Sequence, residues 1–303
     1  MFKENFTDEE KKEITLLIKP NNLILIEKEI VQLQKIGSNA SEMSERCRLG
    51  NAIVDYFTFL QRLHTRGKYN VNYFEFIANI EEFKEKKFIQ NMLNYYDIVK
   101  NKNKKKNQYI VLKEVYNICI SAINIIRPLV YMEIYSKYQP QTILDFCAGW
   151  GGAVTAACIL NIPNYIGIEI NHHLKIPYND LTNFLSTYSQ TKVNMLFQNA
   201  LEVDYSILEY DFVFTSPPYY FIQKYENNPI YTSKDEMDKL FYIPLFTKTF
   251  ANLKQGGNYL LNVNKEVYER VCVPILGEAY EKYPYKKSKR QNKYQEIVYV
   301  WKK

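Results

Sequence analysis

Residues 142–160 read TILDFCAGWGGAVTAACIL. A short apolar run ends in a carboxylate at Asp145, small residues follow with Gly149, Gly151 and Gly152 among them, and an alanine-rich segment of high helical propensity comes next. This is the pattern of a strand, a tight turn and a helix. Glycine permits the positive φ that such a turn needs. It also leaves the backbone bare, so that a ligand can lie against it at Gly149 and Gly151. The first turn of the helix carries N–H groups without intrahelical partners. In an open parallel sheet, ligands bind outside the carboxyl ends of the strands, where Asp145, Cys147 and Ala148 fall. The loop suits a nucleotide-like ligand. A plain turn packed with small residues has the same composition, because short glycine patterns are common.

Working outward from this stretch, the C-terminal half repeats its rhythm. YIGIEI (165–170), VNMLFQN (193–199), YDFVFTS (210–216) and NYLLNVN (258–264) are short runs rich in Ile, Val, Phe and Tyr. Helical candidates at 151–160, 172–188 and 234–253 separate most of them. Strand alternating with helix predicts an α/β fold with a doubly wound, mostly parallel sheet. The final YQEIVYVWKK reads as an alternating strand, expected to pair with one near YPYKKS (283–288) across the basic turn KKSKRQNK (286–293).

Before about residue 138 the spacing is helical instead. TDEEKKEITLLIK opens with Thr7 and Glu10, a capping-box pattern. NNLILIEKEIVQLQKI follows Pro20 with apolar residues at helical spacing. Further helices are expected over 41–67, 73–100 and 109–126, the last stopping before Pro128, with the apolar-free NKNKKKNQ (101–108) as a loop or linker. The organisation predicted is an all-helical N-terminal region, 1–127, followed by the α/β part, 128–303.

Composition narrows the function classes. The chain has 303 residues with 39 Lys+Arg against 33 Asp+Glu, a net charge of +6 and a pI near 8.8. That mild excess permits a polyanionic partner. The five cysteines form no CxxC pair and there are only three histidines, so neither a disulfide framework nor a metal site is expected. The start MFKENFTDEEKK is too charged for a signal peptide, and no apolar run is long enough to span a membrane. An intracellular, cytoplasmic protein is the expectation.

Three further strand ends fall on the same edge as the glycine loop. Glu169 ends the second strand about 20 residues past Gly149, where an acid is placed to accept from both hydroxyls of a ribose. Asn199 and Ala200 follow the third; an amide there suits an adenine, with alanine leaving room for the ring, although Asn is also an ordinary turn residue. After the fourth strand comes Thr215-Ser216-Pro217-Pro218-Tyr219-Tyr220. Two prolines remove two donors and fix two φ angles, giving a rigid acceptor corner beside a flat ring. Such a corner suits a planar group bearing NH2.

DFCAGWGG, then GIEIN, then SPPY, taken in that order, resemble the S-adenosylmethionine-dependent amino-methyltransferases of nucleic acids, over roughly residues 128–303. Having the cofactor loop before SPPY is similar to the gamma arrangement of DNA N4-cytosine and N6-adenine methyltransferases. In that family serine at the corner leans toward N4-cytosine, while Asn or Asp leans toward adenine. The resemblance implies a Rossmann-like class I methyltransferase fold, S-adenosyl-L-methionine as cofactor, no metal, and a nucleic-acid partner, DNA ahead of RNA. It implies a cofactor site of Asp145 (amino-acid end), Cys147, Ala148, Gly149, Gly151, Glu169 (ribose), Asn199 and Ala200 (adenine) and Thr215. It implies catalytic roles for Ser216 and the Pro217 carbonyl as acceptors from the target amine, with Pro218 holding the turn and Tyr219 stacking on the base. Cys147 stands where the family usually has Phe, and Trp150 where a small residue is common. Related Pro-Pro-Tyr corners also serve enzymes that methylate RNA or a glutamine amide in a protein, usually with Asn or Asp first. A catalytically inactive binding subunit on the same fold is the third alternative, and the intact corner and loop speak against it. For recognition, the lysine runs at 101–108 and 286–293 and the helical N-terminal region are the candidates, with the aromatic stretch YYFIQKYENNPIYTS (219–233) as a lip over the base. Both lysine runs would equally suit a solvated loop.

Overall fold

The computed structural model describes residues 2–121, 124–220, 227, 229–284 and 297–303. Among the described residues, seven strands form one sheet: β1 Thr142–Asp145, β2 Asn164–Glu169, β3 Lys192–Phe197, β4 Phe212–Thr215, β5 Asn258–Val263, β6 Glu281–Pro284 and β7 Ile297–Lys302. Their order is β3-β2-β1-β4-β5-β7-β6. β1 to β5 run parallel, and β7 is antiparallel to both β5 and β6. This is the doubly wound, mostly parallel, Rossmann-like architecture expected, with the helical N-terminal region before it. The C-terminal pair forms as expected, but β7 inserts between β5 and β6, which strand spacing alone does not reveal. The basic run 286–293 lies outside the described residues.

The strand order reverses between β1 and β4. Asp145 is level with Gly167 on β2, and Leu144 with Val213 on β4. The carboxyl ends of β1, β2 and β4 therefore open onto one crevice at the topological switch point, where such sheets bind ligands.

The helical expectations need three corrections. The helix expected over 41–67 begins only at Asn51 and ends at His64. Gly50 sits at φ 89°, in the left-handed region, and a Cβ there would press against Leu33 and Pro128 at 3.0 Å. The segment 73–100 is broken into Tyr73–Ala78, Ile80–Lys84 and Lys87–Asn94, with a π-helical turn at Tyr95–Val99. The breaks let Phe76 and Phe83 face one core with Phe2 and Tyr116. The helix expected over 109–126 covers Gln108–Cys119. It stops because the Ile120 carbonyl accepts from Lys68 N, and the chain passes so close to Gly67 that a Cβ there would lie 2.6 Å from that carbonyl. A helical stretch after β5, from Lys265 to Leu276 with a π-turn at Tyr268–Cys272, was not expected from the sequence.

Among the described residues, apolar side chains gather in three cores. One lies on one face of the sheet and joins Phe212, Phe214 and Leu260 to Ile26, Ile30, Leu33, Ile53 and Val54 of the N-terminal helices. The second covers the other face with Phe146, Tyr242, Phe246 and Trp301. The third is wholly helical, around Phe74, Phe76, Phe83 and Tyr116.

Candidate active site

The loop after β1 is held at almost every residue. Asp145 is 1% exposed, and its carboxylate accepts from Thr215 Oγ1 at 2.7 Å, Tyr165 OH at 3.1 Å and Cys147 N at 3.3 Å. Thr215 Oγ1 accepts in turn from Cys147 N at 3.1 Å. Ala148 N donates to the Ile168 carbonyl and the Ala148 carbonyl accepts from Tyr178 OH, both at 2.9 Å. Gly149 N donates to Glu169 Oε2 at 2.8 Å. The Trp150 carbonyl shares the single proton of Thr58 Oγ1, at 3.0 Å, with the Val54 carbonyl at 2.8 Å, a contact from the N-terminal helix Asn51–His64. Gly149 and Gly151 take φ values of 59° and 93°, and Gly151 precedes the helix Gly152–Ile159.

Two carboxyls meet at this edge, and burial acts on both. It pushes Asp145 up to about 6 against the bonds from Thr215, Tyr165 and Cys147 N. It pushes Glu169 up to about 7 against backbone donors, chiefly Asn171 and Gly149. Burial and the two acids also raise the Cys147 thiol, so it is no nucleophile. Glu169 accepts from Asn171 N at 2.9 Å as well as from Gly149. Over Gly149 the space is open: a Cβ there would meet nothing nearer than the Cys147 carbonyl at 3.8 Å.

The corner after β4 stands one strand away. Thr215 is level with Leu261 on β5, which brings Ser216 beside Asn262. Asn262 Nδ2 donates to Ser216 Oγ at 3.2 Å. The main-chain carbonyl of Asn262 accepts from Ser216 Oγ at 3.4 Å and from Tyr219 OH at 3.3 Å. Tyr242 OH donates to the Pro218 carbonyl. Tyr220 OH donates to Asp238 Oδ1 at 2.7 Å, and Arg270 binds Asp238 Oδ2 through Nε and Nη2. Asp238 and Tyr242 reach the corner together because they bound a π-turn, Asp238–Tyr242, inside the helical run from Lys234 to Ala251.

The expected site residues therefore fall into two groups. Gly149, Glu169, Ser216, Pro218 and Tyr219 border the crevice, and Ala148, Gly151 and Pro217 are buried at its base. Asp145 and Thr215 lie beneath the loop, tied to each other. Asn199 stands two residues past Phe197, which is level with Glu169, so it shares the edge. Its Oδ1 accepts from Leu201 N and its Nδ2 donates to Glu202. Ala200, beside it, is buried and its carbonyl accepts from Tyr205 OH. Sequence reasoning missed Asn262, Tyr242, Asp238 and Thr58. Asn262 alone carried a signal, an amide inside the otherwise apolar run YLLNV. Of the aromatic lip, residues 221–226 and 228 lie outside the described residues. Two lysines of the 101–108 run are paired, Lys104 with Asp97 and Lys106 with Glu114.

A cavity of about 460 Å³ lies between the helix Asp8–Ile18, the end of Asn51–His64 and the loop after β2. Lys11, Lys12, His64 and His173 are among its lining residues. Among the described residues no cluster of His, Cys, Asp and Glu could hold a metal ion, and no helix is long and apolar enough to cross a membrane.

No family model and no curated protein matches the chain. It is similar to several solved structures. One is TrmN from Thermus thermophilus, at 16% identity and a TM-score of 0.41, covering 57% of this chain and 48% of that one. A second is an S-adenosylmethionine-dependent methyltransferase from Clostridium acetobutylicum, at 12% identity and a TM-score of 0.33, covering 65% and 82%. A third is precorrin-6y C5,15-methyltransferase from Geobacter metallireducens, at 16% identity and a TM-score of 0.35, covering 54% and 80%. The match thus spans about half the length of TrmN.

Proposed function

We propose that this chain transfers a methyl group from S-adenosylmethionine to an exocyclic amino group of a nucleic-acid base, foremost cytosine N4 in DNA. One observation carries the proposal: the proline corner and the glycine loop are bonded to each other through Thr215, Asp145 and Cys147 N. Any ligand on the loop is thereby held at a fixed offset from any planar group in the corner. Positioning of this kind is most of what methyl transfer to an amine requires.

The residues present fit the cofactor. The open space over Gly149 admits a ligand against the backbone, and Glu169 is held in place by two backbone N–H groups at the next strand end. Glu169 would take the ribose hydroxyls, and Ala200 and Asn199 would border the adenine. Asp145, buried under the loop, would act by fixing the loop's shape; Oδ1 accepts from Thr215 and Cys147 N, and Oδ2, accepting from Tyr165, would keep a lone pair for the amino-acid end. When bound, S-adenosylmethionine supplies a methyl group activated by a sulfonium.

At the corner, Ser216 Oγ and the Pro217 carbonyl would accept from the two protons of the target amine. That draws electron density toward the nitrogen and frees its lone pair from the ring. Tyr219 would lie against the base, which must leave a duplex or be unpaired already. The serine at 216 favours cytosine over adenine, the near alternative. The helical region 1–127 would bind the polyanion, with the cavity at Lys11, Lys12, His64 and His173 as its candidate contact, and 128–303 would perform the transfer. The test is incubation with methyl-labelled S-adenosylmethionine and separate DNA, RNA and protein pools, followed by nucleoside analysis. Label in N4-methylcytosine is expected. Label confined to N6-methyladenine, to RNA or to protein overturns the substrate, and no label in any pool overturns the reaction.

A further inference from the structure

We infer that Asn262 is the positioning residue that keeps Ser216 an acceptor; the inference rests on the methyl-transfer reading above. Asn262 lies within β5, is 1% exposed, and is level with Val298 of β7. Leu260, two residues away and so on the same face, belongs with Val298 to the apolar core. An amide in that row is unfavourable, and its Oδ1 is buried without a partner among the described residues. Leucine would fill the place at no such cost.

The hydrogen bonds at Ser216 account for the amide. A serine hydroxyl has one proton and two lone pairs, and its proton turns to suit its surroundings. Here Asn262 confronts the hydroxyl twice, with its carbonyl at 3.4 Å and its Nδ2 at 3.2 Å. The main-chain carbonyl, which any residue at 262 would supply, takes the proton; Nδ2 occupies one lone pair and so holds the hydroxyl in that rotation, and the second lone pair is left for a donor in the crevice. If the amide were turned over, Oδ1 would take the proton, so either orientation denies the proton to the crevice. A target amine presents donors. A hydroxyl that pointed its proton at the amine would repel it and compete for the lone pair. Asn262 also receives the Tyr219 hydroxyl on the same carbonyl, at 3.3 Å, so both functional side chains of the corner are referred to one residue.

Two substitutions separate this role from simple packing. Asn262→Leu removes the amide and the unpartnered acceptor but leaves the main-chain carbonyl, so thermal stability should hold or rise and cofactor affinity should not change, while the hydroxyl, no longer met by Nδ2, is free to turn its proton toward the crevice and kcat falls at least tenfold with a smaller change in KM. Asn262→Asp keeps an oxygen that can take the hydroxyl proton but buries a carboxyl. It should be the less stable variant and yet the more active one. Activity and stability then rank the two variants in opposite order, whereas a packing role ranks them alike. In a Ser216→Ala background the leucine substitution should cost less than twofold further, because nothing remains to orient. Wild-type transfer with an unimpaired leucine variant, or full additivity with Ser216→Ala, overturns the inference and leaves the methyl-transfer reading standing. No transfer by the wild type to any acceptor overturns both.

Discussion

In the proposed cofactor site, Glu169 would make binding depend on pH. Burial raises its carboxyl from 4.5 to about 7, so between those values the folded chain holds a proton that the unfolded chain has released. This residue's contribution to stability therefore falls as pH rises through that window. Cofactor binding should behave oppositely, since the ionised carboxylate is the better acceptor for ribose hydroxyls. Affinity should strengthen from about pH 6 to about pH 8, with protons released on binding at the lower end. Calorimetry in two buffers of different ionisation enthalpy reads both effects, and Glu169→Gln should weaken binding and flatten the profile. A profile that is equally steep in the variant would move the titration to another group, Asp145 being the nearest. At the corner, Ser216→Ala and Tyr219→Ala should each cut transfer strongly with cofactor affinity nearly intact. The tyrosine change should also raise KM, by a stack of about 1–3 kcal/mol. Ser216→Asn should lose activity on cytosine or begin to accept adenine. Wild-type rates in both alanine variants would reduce the corner to a turn.

At the scale of elements, the glycine loop depends on two constraints acting together. Gly151 combines a φ of 93° with a site where a Cβ would lie 2.6 Å from Leu181 Cδ2. Leu181 can shift, but the backbone angle cannot be relieved without unwinding the start of the helix Gly152–Ile159. Gly151→Ala should therefore cost about 1–2 kcal/mol of stability from the left-handed strain alone, and more in cofactor affinity. Equal losses in denaturant unfolding and in cofactor titration would mean that the loop is not strained selectively. These elements also mark where sequence was legible. Thr7 and Glu10 form the capping box they spell, with Glu10 N donating to Thr7 Oγ1 at 3.2 Å and Thr7 N to Glu10 Oε2 at 2.7 Å. The five parallel strands lie where their apolar runs are, because each is short, β-rich and bounded by turn residues. Gly50 was equally visible, but helical spacing on both sides concealed that its role is a left-handed stop.

On the scale of the whole molecule, the helices before residue 128 are packed into the core of the sheet. Ile26, Ile30, Leu33, Ile53 and Val54 complete the core on one sheet face, and Thr58 holds the Trp150 carbonyl of the glycine loop. A chain starting near Tyr109 should therefore lose cooperative unfolding and cofactor affinity together, as read by thermal melts and calorimetry. A well-folded truncated chain with full affinity would show that the packing is dispensable. Within the full chain, Thr58→Val should lower cofactor affinity with little effect on the melting temperature, since the methyl groups fill the same buried space.

The sequence by itself determined the sheet's alternating order, the glycine loop, the acid at the end of the second strand and the proline corner. Each is a local pattern, set by backbone freedom at Gly149 and Gly151, by fixed φ at Pro217 and Pro218, and by apolar periodicity. Only the tertiary structure decided which groups meet. Asn262 lies 46 residues from Ser216 and Thr58 lies 92 from Trp150, and no local propensity encodes a hydrogen bond across such distances. The placement of β7 between β5 and β6 belongs with these, because an antiparallel strand can join either edge of its partner. Burial decided the rest: Asp145, packed under the loop, and Glu169, at its edge, which the sequence offers only as ligand acids, become carboxyls whose charge depends on pH near neutrality.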